Sequence, residues 1–327
     1  MKRILVIRGG AIGDFVLTLP ALKGLRDANP TSHIEILGYK HIAEIANNRF
    51  YANQVRSIEY GPLSAFFAKN SELPPDLANY FSGFDLIITY LYDPDEIFQN
   101  NLRRSGVEEI ITGPAKIGRD RHAARQLAEP VIRLGVAVSD LAARIYPSEE
   151  DQQFASNFLR DCRPPIVAFH PGSGSDKKNW PLENWIELGN DWLGATVSSR
   201  SGAFQAADLN KRRSGDRRSL VVIAGEADGA QAAQLSREWR DRPVRFANNL
   251  ALPLLAAVLE KTIFIGHDSG ISHLAAAAGA HCILLFGPTD PDIWAPKGEN
   301  VRVIRAPGGD LRALAVDAVR DAIANVA

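Results

Sequence analysis

Cysteine is almost absent from this chain: Cys162 and Cys282 are the only two among 327 residues, and they lie far apart. Two isolated thiols give neither a disulfide framework nor a zinc-ligand spacing, and they suit a reducing compartment such as the cytoplasm. The seven histidines contain no H-x-H or H-x-x-x-H pair. A charge excess is also missing, since 37 Lys and Arg stand against 38 Asp and Glu for a net charge of −1. That balance excludes a general nucleic-acid binder, which carries a clear basic surplus. It leaves room for an anionic small ligand held by a few local cations. Long apolar runs are lacking as well. The first, Ile4 to Ile7, stops at Arg8 and is too short for a signal h-region. None approaches the roughly 20 residues of a membrane span. A lipid-linked substrate is therefore expected to be met at a membrane surface.

What the sequence does contain is alternation. Strand-like apolar runs at 4–7, 34–37, 55–59, 86–89 and 109–112 are separated by helical stretches, the first at 15–28 with Pro20 starting a fresh turn. The pattern restarts near Pro164-Pro165. Strands follow at 166–169, 220–224, 262–266, 282–286 and 301–304, with helices at 182–193, 230–240 and 271–278. Ser148-Glu149-Glu150-Asp151 has the form of a helix start. This is an α/β protein with mainly parallel sheets in two domains, 1–160 and 161–327.

The first strand leads into Arg8-Gly9-Gly10-Ala11-Ile12-Gly13-Asp14. A dinucleotide fingerprint requires G-x-G-x-x-G, and here Arg8 occupies the place of the first glycine. Asp14 also stands at the helix N-terminus, where it would repel a pyrophosphate while being favoured itself by the helix dipole. A carboxylate at the C-terminal end of a central strand is a candidate general base. Asp is equally a preferred helix cap, and the two roles are compatible.

Phosphate chemistry is concentrated in the second half. After the strand at 166–169 come His170-Pro171-Gly172-Ser173-Gly174-Ser175-Asp176-Lys177-Lys178-Asn179-Trp180-Pro181. Glycines admit close backbone approach, Ser173 and Ser175 add hydroxyls, and Lys177 or Lys178 supplies a point charge for a phosphate. A second cradle, Gly266-His267-Asp268-Ser269-Gly270-Ile271-Ser272-His273, opens an alanine-rich helix whose N-terminus can receive an anion. Asp268 would be unfavourable against a phosphate and is read as capping the turn or orienting a cation. A third loop, Phe286-Gly287-Pro288-Thr289-Asp290, offers the Thr289 hydroxyl. After the strand at 220–224, Glu226, with Asp228 close behind, is the candidate acceptor for ribose hydroxyls.

Asp93-Pro94-Asp95 and Asp290-Pro291-Asp292 have D-x-D spacing, but proline marks both as turns, and neither is taken as a metal site. The stretch 195–219 is basic and polar, with Arg200, Lys211, Arg212, Arg213, Arg217 and Arg218. It reads as a solvated inserted loop, or as a contact for an anionic membrane surface or acceptor.

Taken in order, Gly13-Asp14 with Thr18-Leu19-Pro20, the His170 loop through Lys178-Asn179-Trp180-Pro181, Asp268-Ser269-Gly270-Ile271-Ser272-His273, and Phe286-Gly287-Pro288-Thr289-Asp290 resemble the bacterial heptosyltransferases of glycosyltransferase family 9. The resemblance spans almost the whole chain. It implies a GT-B fold, two Rossmann-like domains facing across a cleft, and an inverting, metal-free transfer of heptose from ADP-heptose onto the Kdo or heptose of the lipopolysaccharide inner core. It also implies Asp14 as the base, Lys178 on the diphosphate, the segment from Asp268 through Ser269 and Gly270 to His273 closing over the donor, and Glu226 near the ribose. Ser173, Gly174 and Thr289 complete the expected donor set. The expected partners are a nucleotide-sugar donor and a lipid-linked saccharide acceptor, with no cofactor, and peripheral contact with the cytoplasmic face of the inner membrane. Two features depart from the family pattern: His267 stands where Asn is expected, and the insert at 195–219 is long. The rival readings are a GT-B glycosyltransferase with another nucleotide sugar or acceptor, a nicotinamide-dependent oxidoreductase, against which the incomplete glycine fingerprint counts, and a nucleotide-sugar sensor, which would have no use for a base at Asp14.

Overall fold

A computed structural model describes residues 2–194, 218–225 and 228–326. Most of the basic stretch and Glu226 lie outside the described residues. The chain divides into two compact units, 1–148 with 292–297, and 149–291 with 298–327.

In unit 1 the strands β1 (Arg3–Arg8), β2 (His33–Gly38), β3 (Gln54–Ser57), β4 (Leu86–Thr89) and β5 (Ile110–Thr112) form one parallel sheet in the order β3-β2-β1-β4-β5. Its central strands are buried along nearly their whole length, which explains their unbroken apolar runs. Helices α1 (Ile12–Ala28), α2 (Lys40–Ala43), α3 (Pro75–Ser82), α4 (Ile97–Arg104) and α5 (Ala123–Arg133) connect or flank them. One side of the core is aromatic, with Phe66, Phe81 and Phe98 packed ring to ring. Pro20 does not restart α1. It lies buried inside one continuous helix, which forgoes the bond a residue there would make to the Val16 carbonyl.

Unit 2 opens with α6 (Glu149–Phe158), which packs on α9 (Leu252–Leu259). The strands β6 (Ile166–His170), β7 (Ser219–Ala224), β8 (Val244–Asn248), β9 (Ile263–His267), β10 (His281–Phe286) and β11 (Val301–Arg305) are all parallel, in the order β11-β10-β9-β6-β7-β8. Helices α7 (Leu182–Trp192), α8 (Gly229–Glu238), α10 (Gly270–Ala278) and α12 (Val316–Ala324) complete it, while the short α11 (Pro291–Trp294) straddles the return to unit 1. Trp180, Trp185 and Trp239 are fully buried in its core around Phe169.

Both sheets are doubly wound. The strand order reverses direction beside β1 in unit 1 and beside β6 in unit 2, between β1 and β4 and between β6 and β9. Crevices at the carboxyl ends of such strand pairs are where α/β sheets bind ligands. The turn carrying Asp14 follows β1. The loops beginning at His170 and Asp268 follow β6 and β9.

Candidate active site

In unit 1, α1 begins at Ile12, so Ala11 and not Asp14 is its N-cap. Asp14 occupies the third helical position, and its Oδ2 accepts the Ala11 N–H at 3.0 Å. This is half a capping box, because alanine has no side-chain acceptor to return the bond. Gly10 makes the approach feasible: its φ is +100°, and a Cβ there would lie 2.9 Å from Asp14 Oδ2. Beneath the turn, Arg8 is 6% exposed whereas the Asp14 side chain is 36% exposed, with 3.6 Å between Arg8 Nη2 and Asp14 Oδ1. Arg8 also donates to Thr18 Oγ1 at 3.1 Å and to the Asp14 carbonyl at 3.1 Å, and lies over the Tyr90 ring. Burial pulls this guanidinium below its ordinary range, partly offset by the Asp14 carboxylate. The Asp14 side chain is thus partly exposed, with Oδ2 taken by the Ala11 N–H and Oδ1 turned to the buried Arg8.

In unit 2 the loop after β6 is braced from within. Ser173 Oγ lies 2.7 Å from Asn179 Oδ1 and 2.9 Å from the Ser175 carbonyl, so its hydroxyl holds the loop's own turn. Gly174 is exposed, with nothing within 4 Å of where a Cβ would stand. Gly172 is the glycine the packing requires, since a Cβ there would fall 1.7 Å from Asp228 Oδ1. Lys178 ends a short 3-10 turn, and its ammonium donates to Asp268 Oδ2 at 2.7 Å. The two cradles therefore meet through this pair.

His267, the departure from the family pattern, is fully buried beneath the loop. Its Nε2 accepts the Trp180 N–H at 2.8 Å, and its ring packs edge-on against Trp185. With Nε2 accepting, the neutral ring carries its proton on Nδ1. Nδ1 lies against the Gly172 backbone, outside normal hydrogen-bond geometry. Burial pushes His267 down to about 3. The imidazole is a neutral strut between β9 and the loop.

Ser269 caps α10 by accepting the Ser272 N–H at 3.3 Å, and Gly270 is the first helical residue. Ser272 donates to the His267 carbonyl. His273 is buried in the first turn of α10. Thr289 follows β10, with Oγ1 buried and without a hydrogen-bond partner. Asp228 does not face outward as a ribose acceptor would. It is buried against His170, and Gly172 leaves the space that its carboxylate fills. Of the D-x-D segments, Asp93 accepts the N–H groups of Phe98 and Gln99 and so caps α4, while Asp290 lies 3.7 Å from Arg305.

The two doubly wound parallel sheets are the architecture of the GT-B fold. The solved glycosyltransferase of family 9 from Veillonella parvula superposes with a TM-score of 0.75 at 19% identity, covering 99% of this chain and 97% of that one. The Escherichia coli heptosyltransferase WaaC with ADP gives 0.70 at 20% identity over 99% and 100% of the two chains. In sequence, lipopolysaccharide heptosyltransferase 1 of Escherichia coli O18:K1:H7 is 23% identical across 98% of this chain and 97% of its own length. The family described as glycosyltransferase family 9 (heptosyltransferase) matches residues 210–315. Sequence and fold are thus similar to those of the heptosyltransferases of glycosyltransferase family 9.

Proposed function

We propose that this glycosyltransferase moves a heptose from ADP-heptose onto a Kdo or heptose residue of the lipopolysaccharide inner core, with inversion at the anomeric carbon. Two lines support the reading. The relatives aligned along nearly the whole chain are lipopolysaccharide heptosyltransferases 1 and 3. The observation that carries the donor half is the Lys178–Asp268 pair at the switch point of the unit 2 sheet, next to the N-terminus of α10. A cation oriented beside a helix N-terminus suits a diphosphate.

In this reading Asp14 takes the proton of an acceptor hydroxyl through Oδ1, since Oδ2 is committed to Ala11. The acceptor oxygen attacks the anomeric carbon while the bond from that carbon to the diphosphate breaks. The negative charge arriving on ADP is met by Lys178, by the amides opening α10 at Ser269 and Gly270, and by hydroxyl donors such as Thr289. Glu226 accepts from the ribose, and Asp268 and His273 line the sugar side. Stabilising the leaving group in this way calls for no divalent ion. The acceptor is lipid-linked and is met at the cytoplasmic face of the inner membrane. No helix among the described residues is long and apolar enough to cross a membrane.

Thermal-shift measurements with ADP, UDP and GDP test the donor, because a ligand bound only by the folded state raises stability by mass action. ADP is expected to stabilise the protein most. A transfer assay with ADP-heptose and a Kdo-containing acceptor tests the reaction. Stabilisation by UDP or GDP in place of ADP would reassign the donor.

A further inference from the structure

His170 ends β6 and has no part in the binding roles above, yet its ring joins two other loops. Nε2 is 3.3 Å from Asp228 Oδ2, and Nδ1 is 3.3 Å from Ser269 Oγ. The side chains of His170 and Asp228 are 5% and 8% exposed, so neither exchanges its partner for water without a desolvation cost. The carboxylate is fixed from two further directions. Its Oδ2 also accepts the Gly225 N–H at 3.3 Å, and Gly172 leaves space for Oδ1 that no other residue would.

The donors and acceptors select one arrangement. Burial raises the Asp228 carboxyl, but the hydrogen bond from His170, with the Gly225 N–H, brings it below the usual carboxylate range. Asp228 is therefore an acceptor only, and the His170 ring presents a protonated Nε2 to it. With a single proton on the ring, Nδ1 is the acceptor that faces the Ser269 hydroxyl. That hydroxyl has a competing partner in Ser272 Oγ, 3.2 Å away. Giving its proton to Nδ1 turns the lone pairs of Ser269 toward the Ser272 N–H, which is the capping bond of α10.

We propose that His170 is a positioning residue for the donor diphosphate: the chain Asp228–His170–Ser269 ties Asp228, at the start of α8, to the first turn of α10. It thereby fixes the α10 amides relative to the β6 loop that carries Lys178. The inference rests on unit 2 being the donor side.

Two measurements on the full chain test it. The first needs no ligand. Long-range proton–nitrogen NMR of the 15N-histidine protein, with His170 assigned by loss of its signals in His170→Gln, should show Nε2 protonated and Nδ1 bare. Asp228→Asn retains an acceptor and should keep that tautomer, whereas Asp228→Ala should give a mixture. An Nδ1-protonated ring in the unaltered protein overturns the proposal.

The second is a double-mutant cycle on ADP affinity by calorimetry. Losing a buried hydrogen-bond partner should raise Kd about tenfold in Asp228→Ala and in Ser269→Ala. Because both act through His170, the double variant should lose clearly less than the product, and this shortfall should vanish in a His170→Ala background. Ser269→Thr, which keeps the hydroxyl, should restore near-normal affinity. Simple multiplication of the two losses overturns the proposal. If the unaltered protein binds no ADP, the donor reading fails, whereas the tautomer and its dependence on Asp228 still decide the His170 arrangement.

Discussion

The ammonium of Lys178 is held 2.7 Å from Asp268 Oδ2, joining the loop after β6 to the loop after β9 at the point where the sheet reverses its strand order. The pair is partly exposed on the lysine side and nearly buried on the aspartate side. In the proposed donor complex Asp268 would present the cation already placed, which would reduce the entropy lost on binding. A diphosphate would share this ammonium with the carboxylate.

Lys178→Ala is therefore expected to weaken ADP binding by about tenfold or more, as loss of a charge-assisted contact does. Calorimetric titration checks this, and unchanged affinity would remove Lys178 from the diphosphate site. If Lys178 and the α10 amides suffice for the leaving group, EDTA should leave turnover unaltered. Activity lost to EDTA and restored by a divalent ion would show that they do not.

The helix-start contact of Asp14 and its proposed role as base can be separated by substitution. Asparagine keeps an oxygen that can accept the Ala11 N–H but cannot take a proton. Asp14→Asn should reduce kcat by about a hundredfold or more while thermal stability and ADP affinity stay close to normal. Asp14→Ala should lose the helix-start bond as well, costing about 1 kcal/mol of stability. Full turnover in Asp14→Asn would leave the residue as a helix-start contact alone.

The glycines of the β6 loop make a paired test of packing. Gly172→Ala drives a methyl group into Asp228, and a clash of that kind in a buried site costs about 1–3 kcal/mol. Gly174→Ala meets nothing within 4 Å and should be tolerated. Melting temperatures of the two variants should differ by several degrees. Equal temperatures would contradict the close approach of Asp228 to the loop.

The elements that could be read from sequence are those whose burial is one-sided or complete. Strands such as β1, β6 and β9 are apolar throughout because both sheet faces are covered, and the reading placed them within a residue or so. β8 went unread because it is an edge strand with mixed burial and carries Arg245 and Asn248. α9 is so uniformly apolar that it has no helical period to detect. The return of 292–297 to unit 1 is a long-range event, tied down by the hydrogen bond between His122 and the Ala295 carbonyl, and no local pattern announces it. Within the site, loops and charge types were legible, but partners were not. Sequence order separates Lys178 from Asp268, and His170 from Asp228, so only the fold could pair them. His267 looked like an altered donor contact because its position in the motif does not reveal which way the side chain turns.

His267 also makes stability depend on pH in a defined direction. Its folded-state value is pushed down to about 3 by burial, whereas an unfolded histidine titrates near 6.5. Between those limits the unfolded chain binds a proton that the folded chain refuses, so stability contributed by the neutral ring is complete above 6.5 and declines as pH falls toward 3. The slope is about 1.4 kcal/mol per pH unit, or about 2 kcal/mol between pH 6.5 and pH 5. His267→Asn can still accept the Trp180 N–H without gaining a titrating group. Urea unfolding at pH 7 and pH 5 should show a smaller loss in this variant than in the unaltered protein. Equal losses would mean that the imidazole reaches water, or a counter-charge, that its burial under the Trp180 loop does not provide.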